Sequence, residues 1–259
     1  MQCHGSPYTG VVLHGKKIIV VMPAYNAAQT LIATHREIPH DVVDEVILVD
    51  DGSGDGTSAV SRELGITTIV HEENRGYGAN QKTCYRAALE RGGDVIIMLH
   101  PDYQYDPRLL LAMSSMIVDG PFHVVIGSRI LGGRAVRGGM PRWKYVANRF
   151  LTAWENLLLG AKLSEYHTGY RAFARKVLET IPFEENHNDF IFDNELLAQI
   201  HLRGFLIGEL SCPAKYFPEA SSINFPRSMR YGLGVLWVSL LGFLHRAGLC
   251  HSRLFDYPR

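Results

Sequence analysis

The chain has 259 residues, enough for one large α/β domain with a full core, with or without a substantial appendage. Lys plus Arg and Asp plus Glu number 26 each, with no long run of one charge, which argues against nucleic acid as a partner. The four scattered cysteines, Cys3, Cys84, Cys212 and Cys250, form no C-x-x-C pair and no zinc-ligand spacing, so they read as reduced, intracellular thiols.

Residues 1–16 read as a polar, glycine-containing tail without the apolar centre of a secretory signal, so a cytoplasmic location is expected. A first strand is predicted at 17–22, followed by the exit turn Pro23-Ala24-Tyr25-Asn26 and a helix ending near Pro39. Strands at 46–50, 66–70 and 95–99 alternate with helices at 57–64 and 78–91, which implies right-handed βαβ crossovers and a mainly parallel sheet. Beyond Pro107 come a helix to 118, a strand at 123–127, a glycine- and arginine-rich loop at 128–142 and a helix at 143–159. A short segment at 169–173, a helix at 194–203 and a strand at 205–210 follow. The first half is a Rossmann-like nucleotide fold, and the second is expected to extend the same sheet and supply an acceptor pocket.

Two strand ends carry the chemistry. The apolar run Val46-Ile47-Leu48-Val49 stops at Asp50, Asp51, Gly52, Ser53, Gly54, Asp55, Gly56 and Thr57, parking carboxylates at a strand's carboxyl end, where ligands bind in open α/β sheets. The strand at 95–99 likewise ends in His100-Pro101-Asp102-Tyr103-Gln104. The first turn is not a calcium loop, because Arg62 stands where the bidentate Glu belongs and a strand precedes it. It is not a dinucleotide fingerprint either, since Thr57 replaces the third glycine, and Gln81 does so after Gly76 and Gly78. Capping of the following helix by the acidic residues is the structural alternative, weakened by three polar exits on one sheet edge.

The motifs Val21-Met22-Pro23-Ala24-Tyr25-Asn26, Val49-Asp50-Asp51-Gly52-Ser53, Asn74-Arg75-Gly76-Tyr77-Gly78, Gly127-Ser128-Arg129 and Thr168-Gly169-Tyr170-Arg171 stand in this order in the chain. In these the sequence resembles the family 2 glycosyltransferases of the GT-A fold, closest to the dolichyl- and polyprenyl-phosphate sugar synthase branch, over roughly residues 17–217. The resemblance implies a GT-A type three-layer sandwich with a mainly parallel central sheet at 17–225, divided into a nucleotide half (17–105) and an acceptor half (106–225). An amphipathic helical extension at 226–259 would follow. By the same resemblance Pro23, Tyr25, Asn26 and Asp51 would hold the base and ribose of a nucleotide-diphosphate sugar. Asp50, Arg75, Gly76, Asn80 and Asp102 would complete the donor site.

The family's Asp-x-Asp metal motif reads here with a histidine first, so the resemblance assigns a divalent cation to His100, Asp102 and Gln104, which would share a side if the segment is extended. Imidazole suits softer metals than Mg²⁺, which makes Mn²⁺ an alternative, and Asp102 is the stronger candidate ligand. Arg129, Arg134, Arg137 and Arg142 share one glycine-rich segment, and guanidinium suits phosphate because it donates paired hydrogen bonds with fixed charge; the resemblance to the lipid-phosphate branch implies that Arg129 and Arg142 contact the acceptor phosphate. A hydroxyl acceptor would instead need a carboxylate base, for which Asp193 and Glu195 are candidates, helix capping being their structural alternative.

The apolar block at 235–244, flanked by Arg227, Arg230 and Arg246, is too short to span a bilayer and suits an interfacial helix, core packing or a dimer seam. Ala220-Ser221-Ser222-Ile223-Asn224 departs from the basic stretch that lipid-phosphate synthases often carry. The resulting expectation is a metal-dependent, inverting transferase moving one sugar to a polyprenyl phosphate or related membrane-associated acceptor, in peripheral contact with the membrane. Transfer to a glycan hydroxyl and non-catalytic nucleotide-sugar binding are the alternatives. The oligomeric state, homo-oligomer or not, stays open.

Overall fold

The computed structural model describes residues 13–213, 215 and 225–256, so the tail before Leu13 and the departure at 220–224 lie outside the described residues. Four strands, β1 (Ile18–Ala24), β2 (Glu45–Asp50), β3 (Thr67–Val70) and β4 (Val95–Met98), pair in parallel in the order β3-β2-β1-β4. Helices α1 (Ala28–Arg36), α2 (Thr57–Glu63) and α3 (Tyr77–Glu90) make the crossovers that parallel neighbours require. Side chains alternate across the central strand. Ile19 and Val21 pack with Tyr85 of α3 on one face, while Ile18, Val20 and Met22 pack with Leu31 of α1 on the other. Every residue of β1 is buried, as expected of a parallel strand covered on both sides.

The second half continues the sheet as β4-β6-β5-β7, through β5 (Val124–Ser128), β6 (Arg171–Ala174) and β7 (Ile207–Ser211). The segment expected only as a short piece at 169–173 is β6, which runs antiparallel to both β4 and β5. Its reversal has a positional consequence. The amino end of β6, where Arg171 pairs with Met98 and Ile126, lies at the same edge as the carboxyl ends of β4 and β5. Polar residues entering β6 and leaving β4 and β5 therefore meet.

Helix α4 (Leu110–Val118) packs on β5, and α6 (Arg175–Thr180), which the periodicity does not announce, follows β6 directly. Helix α7 (Phe192–Leu202) buries Phe192, Leu196 and Leu197 on the α3 face of the sheet, completing the three layers. Helix α5 (Arg142–Leu159) ends at Gly160 in the left-handed conformation and packs against α8 (Phe225–Arg246). Helix α8 starts well before the apolar block seen in the sequence and buries Val235 and Val238 while exposing Met229, Leu233 and Trp237. Among the described residues no helix is long and apolar enough to cross a membrane. Cys84, Cys212 and Cys250 are unbridged.

Candidate active site

The carboxyl ends of β1, β2 and β4 and the amino end of β6 form one edge, so Asp51 and Asp102 lie on the same side of the sheet with β1 between their strands. On the β1–β2 side, the expected nucleotide residues divide into a buried frame and an exposed rim. Asp51 is 2% exposed; Oδ1 accepts from the Arg75 amide, Oδ2 from the Gly76 amide, both at 3.0 Å, and His71 Nδ1 sits 2.6 Å from Oδ1. The carboxylate thus organises the 71–76 loop through main-chain donors. Gly76 has φ +98°, and a Cβ there would lie 2.6 Å from the Asn188 carbonyl, so only glycine fits.

Asp50 accepts from the Ser53 amide at 3.1 Å, and Asn80 donates to the carbonyls of Ala24 and Val49, stapling the ends of β1 and β2. Pro23 is buried between them. Tyr25, Asn26 and Arg75 form the exposed rim. Asn26 adopts φ +53° and its Oδ1 accepts from the Gly54 amide at 3.0 Å.

On the β4–β6 side a cavity of about 260 Å³ opens, lined by His100, Asp102, Gln104, Arg129, Asp193 and the first turns of α5 among others. The route by which His100, Asp102 and Gln104 reach it corrects the extended-segment expectation. Asp102 Oδ1 accepts from the Gln104 amide at 3.1 Å and Tyr103 adopts φ +57°, so a side-chain-capped turn replaces the alternating strand.

His100 stacks parallel to Tyr77 at 5.6 Å between ring centres, and its Nε2 lies 3.2 Å from the Tyr77 oxygen. The Tyr77 hydroxyl donates its one proton to Asp193 Oδ2 at 2.8 Å, which places a proton on His100 Nε2 and the lone pair on Nδ1. Burial holds His100 below the ordinary imidazole value, against the opposing pull of Asp102 and Asp193. Gly169 makes room for this ring, since a Cβ there would meet Nε2 at 2.5 Å.

The two candidate bases are committed elsewhere. Asp193 Oδ1 accepts from Gln81 Nε2 and from Arg171, each at 3.0 Å, and Oδ2 is taken by Tyr77. Arg171, fully buried, also donates to the carbonyls of Asp193 and Tyr166. Glu195 does not line the cavity; it is fully buried, accepts from the His187 amide at 2.8 Å and pairs with His187 Nδ1.

Arg129 reaches the cavity wall through an ion pair with Glu165. Its Nε donates to Oε1 at 2.9 Å, its amide donates to Oε2 at 2.9 Å, and a terminal nitrogen donates to the His167 carbonyl at 2.5 Å. Burial acts to raise Glu165, but the Arg129 charge and hydrogen bonds outweigh it and hold the carboxyl below its usual value. Arg142 opens α5 as an exposed residue outside the cavity lining, and Arg134 and Arg137 are exposed on the preceding loop. Trp143 and Lys144, one and two residues on, do line it.

Among the described residues no three His, Cys, Asp or Glu side chains converge as a metal site. Asp102, with hard carboxylate oxygens, lines the same cavity as His100 and Gln104, a partial ligand set that suits a hydrated divalent cation sharing its shell with substrate oxygens. The sequence reading passed over His71, Glu165, His167 and Tyr231. They carry no motif spacing of their own, although Glu165 and His167 immediately precede Thr168-Gly169-Tyr170-Arg171.

The sequence pattern of glycosyl transferase family 2 matches residues 19–182, more than half of the chain. The chain belongs to glycosyltransferase family 2. A dolichyl-phosphate hexose transferase of Haloferax volcanii is 31% identical to this glycosyltransferase over 198 residues, covering 76% of the chain and 82% of the relative. A polyprenol monophosphomannose synthase of Mycolicibacterium smegmatis is 28% identical over 203 residues, covering 75% and 76%. Similarity to the longer glycosyltransferase AglD of Haloferax volcanii spans 34% of that protein. Among solved structures, the glucosyl-3-phosphoglycerate synthase of Mycobacterium tuberculosis in complex with uridine diphosphate superposes with a TM-score of 0.67 at 22% identity, over 96% of this chain and 88% of that one. That likeness shows the fold, so the architecture is the GT-A type α/β sandwich.

Proposed function

We propose that this family 2 glycosyltransferase moves a single sugar, with inversion, from a nucleotide-diphosphate sugar to the phosphate of a polyprenyl-type lipid at a membrane surface. The observation that carries this reading is the cavity itself. Asp102 and Arg129 line its wall, while Trp143 of α5 and Ser228 and Tyr231 of α8 line its α5–α8 side, with Val146 and Phe150 of α5 and Met229 and Leu233 of α8 exposed on the same two helices. An anion-binding interior beside an apolar surface matches a lipid with a charged head. Arg142, Lys144, Arg227 and Arg230 on those helices suit an anionic membrane. The names of the Haloferax and Mycolicibacterium relatives support the same acceptor class.

The donor is placed across the sheet edge, its nucleotide against Tyr25, Asn26 and the 71–76 loop that Asp51 orders, its diphosphate toward Asp102. A divalent cation held by Asp102, with His100 and Gln104 beside it, would neutralise charge on the leaving diphosphate. Arg129 holds the acceptor phosphate in line with the anomeric carbon, Lys144 adding charge next to it. A phosphate oxygen forms the new bond as the bond to the diphosphate breaks. With a second pKa of about 6, a phosphate monoester is already ionised at neutral pH and needs no base. The commitment of Asp193 and Glu195 to internal hydrogen bonds favours this acceptor over a sugar hydroxyl.

The test offers uridine, guanosine and thymidine diphosphate sugars with Mn²⁺ or Mg²⁺ to the purified protein and vesicles containing a polyprenyl phosphate. Transfer to the lipid phosphate, and none to the corresponding prenol, is expected; binding of a donor with no transfer to any lipid phosphate overturns the reading. Asp102→Asn should abolish metal-dependent donor binding and His100→Ala should only weaken it, with the reverse order refuting the ligand assignment.

A further inference from the structure

At the cavity wall and behind it, four side chains from separate parts of the chain meet: His167 of the loop before β6 and Tyr231 of α8, which line the cavity, and Glu155 of α5 and Asn194 of α7, which do not. Asn194 Nδ2 donates to Glu155 Oε1 at 2.7 Å, and the Tyr231 hydroxyl donates to Asn194 Oδ1 at 2.5 Å. His167 Nδ1 lies 2.8 Å from the Tyr231 oxygen. Tyr231 has one proton, and Asn194 takes it, so Nδ1 carries hydrogen and donates to Tyr231, the nearer of its two neighbours, since Asn194 Nδ2 lies 3.4 Å away; in the neutral ring Nε2 then keeps its lone pair. That nitrogen and Glu155 Oε2 are the loose ends of the chain of bonds. They are 3.4 Å apart, both buried, and neither has a hydrogen-bond partner among the described residues.

Two buried polar orphans facing each other are unfavourable unless something joins them. One proton between Glu155 Oε2 and Nε2 does so and closes the circuit. Flipping the Asn194 amide and reversing every donor gives the same closed circuit with the same number of protons. We propose that Glu155, His167, Tyr231 and Asn194 form a hydrogen-bonded ring around one carboxylic proton, and that these positioning residues fix α8 and the His167 carbonyl, and through that carbonyl Arg129, against the cavity.

The charged groups around the ring come in pairs. Arg171 faces Glu155, and Arg171 is bound to Asp193; Arg129 faces His167, and Arg129 is bound to Glu165; Arg149 and Tyr166 complete the surroundings. With these fields opposed, burial decides. It raises Glu155 well above the ordinary carboxylate value and pushes His167 down to about 3, which puts the proton on the carboxyl. The functional part of this proposal rests on the cavity being the acceptor site, whereas the ring itself does not.

Glu155→Gln tests it, because the amide NH₂ replaces the O–H and every bond of the ring survives; transfer kinetics should stay within about twofold of wild type. Tyr231→Phe opens the ring and should raise the KM for the lipid phosphate about tenfold, with the donor KM unchanged. The decisive readout is urea unfolding of wild type and Glu155→Gln from about pH 5 to about pH 8. A carboxyl that keeps its proton on folding weakens the wild type relative to Glu155→Gln by about tenfold in folding equilibrium constant per pH unit above 4.5, up to the folded-state value. A ratio independent of pH, or a Glu155→Gln chain that fails to fold, overturns the ring, as does an imidazolium signal from His167 in ¹⁵N NMR. A Tyr231→Phe enzyme with unchanged acceptor KM overturns its positioning role. The expected pH dependence in a protein that transfers no sugar to lipid phosphate would uphold the ring and sink the acceptor reading.

Discussion

The two banks of the active edge are built on opposite plans. On the β1–β2 bank the acidic and amide side chains turn inward: Asp50, Asp51 and Asn80 are buried and spend their polar atoms on backbone groups of neighbouring loops. Tyr25, Asn26 and Arg75 face the solvent there, together with Asp55, Glu72, Glu73 and Asn74 of the same loops. On the β4–β6 bank the side chains themselves point into the cavity, and each is held from behind by an opposite charge or a donor, Arg129 by Glu165 and Asp193 by Arg171. A substitution on the first bank therefore acts by loosening a loop, and one on the second by unbalancing a buried pair.

The largest effect should come from the second bank. Arg171→Met removes the fully buried cation and leaves Asp193 without its charge partner, which costs about 3–5 kcal/mol of stability by the usual penalty for an uncompensated buried charge. Urea denaturation measures it, and a loss under about 1 kcal/mol would show that Tyr77 and Gln81 alone carry the carboxylate. On the first bank, Asp51→Asn turns one acceptor oxygen into a donor facing the amides of Arg75 and Gly76 or the His71 ring, at a cost of about 1–3 kcal/mol. This should appear as weaker donor binding with the acceptor KM unchanged. An equal loss for both substrates would merge the two banks into one unit.

The first bank was the more legible in the sequence, because its work is done by backbone geometry, which recurring short motifs encode. Strand–turn–helix spacing located β1, β2 and β4 to within a residue or two, and with them the edge on which Asp51 and Asp102 stand. The second bank is assembled by tertiary contacts. A four-residue antiparallel strand such as β6 has too little period to read, yet its reversal brings Gly169 and Arg171 beside His100. Glu165, His167 and Tyr231 sit at no informative spacing and gain their roles from partners far along the chain. The turn at Asp102 was misread as extended because an Asx cap and a left-handed Tyr103 leave no mark in the alternation.

The smallest effect separates the banks by pH. Glu165 is held below the ordinary carboxylate value in the folded chain, so its pairing with Arg129 contributes stability that is whole above pH 4.5 and is lost as the pH falls through the folded-state value. His167 adds to the same acid limb: at about 3 when folded against 6.5 when free, it leaves the unfolded chain holding the extra proton between those values. Between 4.5 and 6.5 the retained proton on Glu155 offsets His167, because folded and unfolded chains then each hold one proton on that pair. Below 4.5 the offset ends, and Glu165 and His167 each contribute a slope of about 1.4 kcal/mol per pH unit. In Glu165→Gln the part of the slope below 4.5 that belongs to Glu165 should vanish while the His167 part stays. If the acid limb of Glu165→Gln matches that of wild type, Arg129 does not depend on Glu165, and the idea that this bank is held by buried ion pairs fails at its most exposed member.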